Sequence, residues 1–214
     1  MNEWERDVQG AVAAHARLSA DLATLTDAHA AQPSLLPGWS VAHVLTHIAR
    51  NADGLSLMVE AANRGEVGSQ YPGGLAQRAA DIEAGAGRGA AELVADVATA
   101  NARLEAAWAA TTDGSRRAEG LTVAGPLPIH ELPSRRWRET VVHHADLGLA
   151  YSWHDWPDEY VRLELQRMTM LWASRKPMGL TNLPAAAATL PDHDRLAWLL
   201  GRTTVAGLEP AGIF

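Results

Sequence analysis

Apolar residues in the first 63 positions recur three or four places apart, the spacing that places them on one face of an α-helix. One amphipathic helix is predicted from Glu3 to about His29. Ser40 is a suitable N-cap for a second helix that runs to about Asn63. The apolar positions behind these two predictions are Val8, Val12, Leu18, Leu22 and Leu25, then Val41, Val44, Leu45, Ile48, Leu55, Met58 and Val59.

The same periodicity predicts further helices from Leu75 to about Ala84, from Ala90 to about Thr111 and from Ser134 to about Ser152. Glycines and prolines between Thr112 and Pro133 indicate a loop or a short hairpin. Four long helices with one long crossover before the last are typical of a four-helix bundle, whose facing helices often carry metal sites.

The pattern changes after residue 152. One helix is predicted from Trp156-Pro157 to about Ser174 and a shorter one from Asp192 to Gly201. We therefore expect two domains, a four-helix bundle at 1–152 and a small C-terminal lobe at 153–214. A lobe of about 60 residues is marginal as an independent domain, so it is expected to be an appendage of the bundle.

The chain has 214 residues, no cysteine and nine histidines, and 47% of its residues are hydrophobic. The lack of cysteine excludes disulfide scaffolds, cysteine-ligated metal sites and any protein thiol nucleophile. Metal or nucleophilic chemistry must therefore use histidine, glutamate, aspartate or a group from outside the chain.

With 18 basic and 25 acidic side chains, the formal net charge is −7. This balance gives no reason to expect a nucleic-acid partner, because neutralising phosphates needs a basic face. No window approaches the roughly 18 to 20 apolar residues that cross a bilayer, and the first residues are acidic, so we expect a cytoplasmic protein without membrane contact. The oligomeric state stays open.

The last bundle helix carries a polar stripe. With Glu139 set at 0° on a helical wheel, His143 falls at about 40°, Asp146 at about 340° and Arg135 at about 320°. Much of the rest of this helix is apolar, so the stripe is expected to be partly buried, and one metal ion could serve both the carboxylate and the imidazole. The alternative is a buried ion network with a satisfied core histidine, in which Asp146 pairs with Arg135.

The second helix adds a third candidate ligand. His47 lies at the inner edge of its apolar stripe, whereas His43 faces further out and is interpreted as an exposed or supporting residue. Together with Glu139 and His143, His47 gives three nitrogen and oxygen ligands, which leave a fourth coordination position open as in catalytic zinc sites. The arginine pairs 116–117 and 135–136 are interpreted as solvated or ion-paired, with an anionic substrate as the alternative.

Several separated motifs resemble the mycothiol-dependent maleylpyruvate isomerase family. They are SLLPGWSVAHVLTHIARN at 34–51, YPG at 71–73, RAADIEAGAG at 78–87 and RETVVHHADL at 138–147. The resemblance implies a mainly α fold, with a DinB-like metal-binding four-helix bundle followed by a small C-terminal α/β lobe. The segment 184–194 is short and rich in alanine, so this lobe is expected to be trimmed.

The resemblance also implies functional residues. The metal triad of the family carries over to His47, Glu139 and His143. The run LLGR at 199–202 is similar to the motif of a catalytic arginine, which puts Arg202 forward as a catalytic residue. The implied cofactors are a divalent metal, with zinc first and nickel, cobalt or iron as alternatives, and mycothiol, a low-molecular-weight thiol.

The implied activity is cis-trans isomerisation of a small unsaturated dicarboxylate, of the maleylpyruvate to fumarylpyruvate type. A thiolate adds to the activated double bond, rotation follows about the resulting single bond, and the thiolate leaves. Arg202 then binds a carboxylate or stabilises the enolate, while His144 and Asp146 are candidates for proton transfer or for support of the metal ligands. Two alternatives stay open: a mycothiol S-transferase acting on electrophiles, and a non-catalytic metal-binding bundle.

Overall fold

The computed structural model describes residues 1–175 and 181–212. Its chain divides into two compact units, Met1–Leu149 and Ala150–Phe214. The boundary predicted from the sequence, between 152 and 153, lies slightly further along the chain. The predicted lobe includes 176–180 and 213–214, which lie outside the described residues.

The N-terminal unit consists of helices and one antiparallel hairpin. Its helices are α1 (Glu3–Asp21), α2 (Asp27–Ala30), α3 (Val41–Asn63), α4 (Gly74–Gly85), α5 (Ala90–Ala109), α6 (Asp113–Arg116) and α7 (Leu132–Asp146), and its strands are β1 (Glu119–Thr122) and β2 (Gly125–Pro128). Short 3₁₀ turns occupy Leu22–Thr24 and Ile129–Glu131. The hairpin lies in the crossover where a loop or a short hairpin was expected.

The four long helices α1, α3, α5 and α7 form the bundle, with α3 packed mainly on α5 and α1 on α7. The apolar stripe predicted for α3 is buried, and Ser40 caps its N-terminus by accepting a hydrogen bond from the backbone nitrogen of His43. The predicted mainly α four-helix bundle is therefore confirmed, and its core is built from the periodic apolar positions of the sequence.

Two helices are shorter than predicted. Helix α1 ends at Asp21 and gives way to a 3₁₀ turn, and α7 ends at Asp146 instead of continuing to about Ser152. At the second end, Gly148 has φ +68° and donates its N–H to the carbonyl of Ala145 at 3.1 Å. This left-handed glycine closes the helix, because a residue with a Cβ adopts that conformation only at a cost.

The connection from α3 to α4 is fixed against the bundle by the hairpin. The backbone of Leu121 accepts a hydrogen bond from Gln70 and donates one to Gly68, both at 2.8 Å. Gly54 in α3 permits this packing, since a Cβ there would lie 2.6 Å from the carbonyl oxygen of Gln70. The segment that carries Gln70 and Tyr71 therefore lies directly on α3.

A buried arginine joins all four bundle helices. Arg136 of α7 is fully buried, and its Nε donates to Nε2 of His15 in α1 at 3.0 Å. Its Nη1 donates to the carbonyl of Ile48 and to Oδ1 of Asn51 in α3 at 2.9 and 2.8 Å, and its Nη2 donates to Oδ1 of Asn101 in α5 at 2.6 Å. The interpretation of Arg136 as solvated, ion-paired or substrate-facing is therefore wrong.

This network also assigns the protonation state of His15. Since the guanidinium can only donate, Nε2 of His15 must accept, and Nδ1 carries the proton that it shares with Glu105 at 2.7 Å. Burial, above all, lowers the pKa of His15 to about 4, and the hydrogen bond to Glu105 only partly opposes this. Burial also lowers the pKa of Arg136 to about 10, which leaves it charged at neutral pH.

The C-terminal unit has the helices α8 (Asp158–Ser174), α9 (Ala185–Ala188) and α10 (Asp192–Leu199), with a 3₁₀ turn at Trp153–Asp155. Its core contains the tryptophans 156, 172 and 198. No strand occurs among its residues 150–175 and 181–212, so the α/β character expected of the lobe is absent there. The alanine-rich segment forms the short α9 instead, in line with the high helix propensity of alanine.

No helix within the described residues is both long and apolar enough to span a membrane.

The buried His15 predicts a pH dependence of stability. Folding lowers its pKa from 6.5 to about 4, so the unfolded chain binds more protons between these values. The contribution of His15 is complete above pH 6.5 and is lost as the pH falls toward 4, by at most about 3 kcal/mol. Urea unfolding across this range measures the change in the free energy of unfolding.

The matched control is His15→Gln, which keeps an acceptor for Arg136 but does not titrate. The variant should show a shallower loss of stability than the wild type between about pH 6.5 and pH 4. Equal slopes for the two proteins would contradict the assignment of a neutral, buried His15.

Candidate metal centre

Two helices bring the three predicted ligands together. His47 comes from the first half of α3, and Glu139 and His143 lie one turn apart on α7. Nε2 of His47 lies 3.2 Å from Oε2 of Glu139, and Nε2 of His143 lies 3.6 Å from the same oxygen. The candidate ligand atoms of all three lie within 4.8 Å of one another.

These spacings fit one metal ion. Ligand atoms at about 2.0–2.1 Å from a tetrahedral centre lie about 3.4 Å apart, between the two separations that share the Glu139 oxygen. Two imidazoles and one carboxylate are also a donor set that zinc accepts, and three protein ligands leave one coordination position for another molecule. The residues present therefore fit a divalent ion.

The electrostatics keep two of these side chains in their metal-binding forms. Burial lowers the pKa of His47, whose side chain is 6% exposed, and the nearby His143 and Arg78 lower it further, against the opposing effect of Glu139. Burial alone would raise the pKa of Glu139, but the hydrogen bond from His47 and the neighbouring cations hold it at about 2. A neutral imidazole and an ionised carboxylate result at neutral pH.

Asp146 orients His143. Its Oδ2 lies 2.8 Å from Nδ1 of His143, so the imidazole donates through Nδ1 and turns Nε2 toward Glu139. A carboxylate behind a ligating histidine fixes its tautomer and increases its basicity. The alternative pairing of Asp146 with Arg135 does not occur, because Arg135 instead contacts the exposed Glu131 at 3.1 Å.

Neighbouring residues frame the centre without belonging to it. His43 accepts from the hydroxyl of Ser40 at 2.7 Å and contacts Glu83 at 3.3 Å, so it caps α3 and lies outside the triad. Trp39 packs on His47 with ring centroids 5.6 Å apart. His144 turns the other way and contacts Asp21 of α1 at 3.2 Å.

A cavity of about 370 Å³ opens against α3 and α4, with a lining that contains none of the triad residues. Its lining includes the YPG motif at 71–73, the aspartates 53 and 81, and three arginines, Arg50, Arg78 and Arg103. Nη2 of Arg78 donates to Nδ1 of His47 at 2.9 Å, which links the cavity to the triad. Sequence reasoning assigned no role to Arg78, although it begins one of the family motifs.

The comparisons with known proteins agree with this geometry. The family described as mycothiol maleylpyruvate isomerase N-terminal domain matches residues 11–148, more than half of the chain. The chain belongs to this family.

A crystal structure of the mycothiol-dependent maleylpyruvate isomerase shares this fold with a TM-score of 0.83 and 26% sequence identity, over 94% of this chain and 90% of that one. A histidine-to-alanine mutant of that isomerase gives a TM-score of 0.83 and 25% identity over the same shares. A search of curated proteins found no significant match. This member of the family is thus an enzyme related to that isomerase.

Arg202, the fourth predicted site residue, lies in the C-terminal unit just after α10. Its backbone nitrogen donates to the carbonyl of Ala197 at 2.8 Å, and its Nη1 donates to the carbonyl of Leu200 at 2.7 Å. These contacts describe its local setting in the turn that follows the helix. Its catalytic role stays a prediction.

The triad predicts that zinc binding depends on each of its members. Replacing His47 or His143 by Ala, or Glu139 by Gln, removes one of three ligands and should lower zinc affinity at least about 100-fold, beyond what the loss of a supporting residue costs. Zinc content after loading and dialysis, with competition against a chelating dye, measures the effect.

His43→Gln is the matched control, because His43 lies on the same helix one turn before His47 but outside the triad. It should bind zinc within about threefold of the wild type, since it removes no ligand. Unchanged zinc affinity in His47→Ala would refute the proposed centre.

Proposed function

We propose that the protein is a metal- and mycothiol-dependent cis-trans isomerase of a small unsaturated dicarboxylate, of the maleylpyruvate to fumarylpyruvate type. The observation that carries this proposal is the cluster of His47, Glu139 and His143 in a family member that has no cysteine of its own. Such a chain can supply the ligands of a metal ion, but the thiol of a thiol-dependent reaction must come from a second molecule.

The triad would hold the ion, for which zinc is the first candidate and nickel, cobalt or iron are alternatives. A divalent ion with an open position favours the thiolate form of a thiol placed there, so it supplies a nucleophile at neutral pH. Mycothiol is the thiol that the family and the related isomerase structure suggest. We place this activity in the cytoplasm, where small thiols are kept reduced.

Residues of the chain itself hold the metal ligands in place and keep them in the protonation states that bind a cation. Asp146 holds the Nδ1 proton of His143, and Trp39 covers one side of His47, so neither imidazole can rotate freely. The charge of Glu139 remains on its carboxylate throughout the neutral range, because its pKa is about 2. The triad therefore needs no proton release from Glu139 before it binds a cation.

For Arg202 we propose the binding of a substrate carboxylate or of the enolate oxygen that forms during isomerisation. A guanidinium suits either task, because it presents several donors and keeps its charge. The support for this role is the likeness of LLGR at 199–202 to the family motif.

The direct test is turnover by the purified, zinc-loaded protein. Maleylpyruvate with mycothiol should give fumarylpyruvate, and omission of either zinc or mycothiol should lower the rate at least about 1,000-fold, since each supplies part of the nucleophile. Chromatographic separation of the two isomers measures the product.

A parallel assay with mycothiol and 1-chloro-2,4-dinitrobenzene tests the S-transferase alternative. Conjugation of this electrophile without turnover of maleylpyruvate would replace the isomerase proposal by the transferase. Absence of both reactions in a zinc-loaded protein would refute thiol-dependent catalysis altogether.

Arg202→Ala should lower kcat/KM for maleylpyruvate at least about 100-fold, because removal of one charged donor from a developing oxyanion costs about this much. Zinc affinity should not change, because Arg202 is not a ligand of the triad. Arg162→Ala is the control: it removes an exposed arginine of the same unit that contacts Glu159 at 3.9 Å. A variant Arg202→Ala that is as active as Arg162→Ala would remove Arg202 from the mechanism.

A further inference from the structure

The hydrogen bond between Arg78 and His47 assigns the tautomer of this histidine. A guanidinium has N–H donors and no acceptor, so Nδ1 of His47 must offer its lone pair to Nη2 of Arg78 at 2.9 Å. The proton of the neutral imidazole then sits on Nε2, which faces Oε2 of Glu139 at 3.2 Å. Both nitrogens of His47 thus contact protein groups.

This arrangement cannot persist when His47 binds a metal. If Nε2 coordinates, the proton of the neutral ring moves to Nδ1. The N–H of Nδ1 and the N–H of Arg78 Nη2 would then both be donors, and no hydrogen bond could form between them. If Nδ1 coordinates, its lone pair is no longer available to Arg78. Coordination through either nitrogen therefore breaks the contact between Arg78 and His47, whichever one the ion selects.

Arg78 differs from the other arginines of the cavity in its partners. Arg103 makes two hydrogen bonds to Glu60 at 2.7 and 2.8 Å, and Arg50 pairs with Asp53 and Asp96. Within the described residues Arg78 forms no ion pair with a carboxylate, and besides His47 its guanidinium contacts Tyr71, through a side-chain hydrogen bond and at 5.6 Å from the ring centroid. Arg78 thus contacts a histidine and a tyrosine where Arg50 and Arg103 contact carboxylates, although Asp53 and Asp81 line the same cavity.

We propose that Arg78 is an anion-binding residue of the substrate site, held by His47 in the metal-free protein and released by metal loading to bind a carboxylate in the adjacent cavity. Arg78 already lines that cavity, whose volume of about 370 Å³ suffices for a small dicarboxylate. A guanidinium binds a carboxylate through two parallel hydrogen bonds, which are about twice as strong as neutral ones.

This inference rests on the proposed function, because it assigns a residue that binds the substrate carboxylate to the same metal centre. It also gives the centre an order of assembly. The cation site for substrate becomes available only after the metal has taken His47, so metal-free protein should bind the dicarboxylate weakly.

The test uses Arg78→Gln in the full-length protein, with maleate as an unreactive dicarboxylate probe. Calorimetry of the zinc-loaded proteins should show maleate binding at least about tenfold weaker in the variant, which is the loss expected for one charged hydrogen-bonding partner. Competition with a chelating dye should show zinc affinity equal to that of the wild type or up to about tenfold tighter, since zinc no longer displaces Arg78.

Arg64→Gln is the matched control, because it removes an exposed arginine that lies outside the cavity and is paired with Glu66 at 2.8 Å. It should change the maleate and zinc affinities by less than about twofold, because it removes the same charge from an exposed position outside both sites. Thermal melting of both variants checks that they fold, and α4, which carries Arg78, has Ile82 as its only fully buried side chain among the described residues.

Three outcomes overturn the inference. Maleate binding by Arg78→Gln at wild-type strength excludes Arg78 as the anion ligand, and an equal loss in Arg64→Gln shows only a general effect of the net charge. A tenfold or greater loss of zinc affinity in Arg78→Gln shows that Arg78 supports the metal and does not compete with it. Failure of the proposed function would appear differently, as a wild-type protein that binds no zinc.

Discussion

The buried guanidinium of Arg136 is the interaction on which the rest of the bundle depends. It takes its acceptors from His15, Ile48, Asn51 and Asn101, one or two from each of the other three long helices. A buried cation that loses such partners costs several kcal/mol, about 3–5 when a buried pair is broken. The four helices therefore cannot slide or rotate independently, because each shift would leave a donor of Arg136 without an acceptor.

The same constraint sets the geometry of the candidate metal centre. Arg136 precedes Glu139 by one turn on α7, and its acceptor Ile48 follows His47 directly on α3. Fixing Arg136 to the Ile48 carbonyl therefore fixes the register in which His47 meets Glu139, at the spacing of 3.2 Å. A site held by packed helices and buried hydrogen bonds is more precise than one on loops. A metal ion needs this precision, because it tolerates only small deviations in the spacing of its ligands.

The sequence was sufficient for those features that depend on helical periodicity. A wheel places His47 at the edge of the α3 core and Glu139 and His143 on one stripe, because a rotation of about 100° per residue leaves no freedom once the helix is assigned. It could not place Arg136, whose burial depends on acceptors from three distant helices. Polar residues such as Asn51 and Asn101 at mid-helix core positions were the available signal, since buried polar groups need partners.

On the proposed function, the lack of cysteine and the net charge of −7 become related features. A cysteine near the triad would bind the ion as thiolate and close the position that an external thiol needs. An acidic protein also repels a dicarboxylate at long range, but salt screens this repulsion beyond about 8 Å, so recognition depends on cations within contact distance. In the cavity that Arg78 links to the triad, Arg50 and Arg103 already have carboxylate partners. Of the three cavity arginines, Arg78 is therefore the one that could accept a substrate carboxylate by giving up a contact with His47, without breaking a pair with a protein carboxylate.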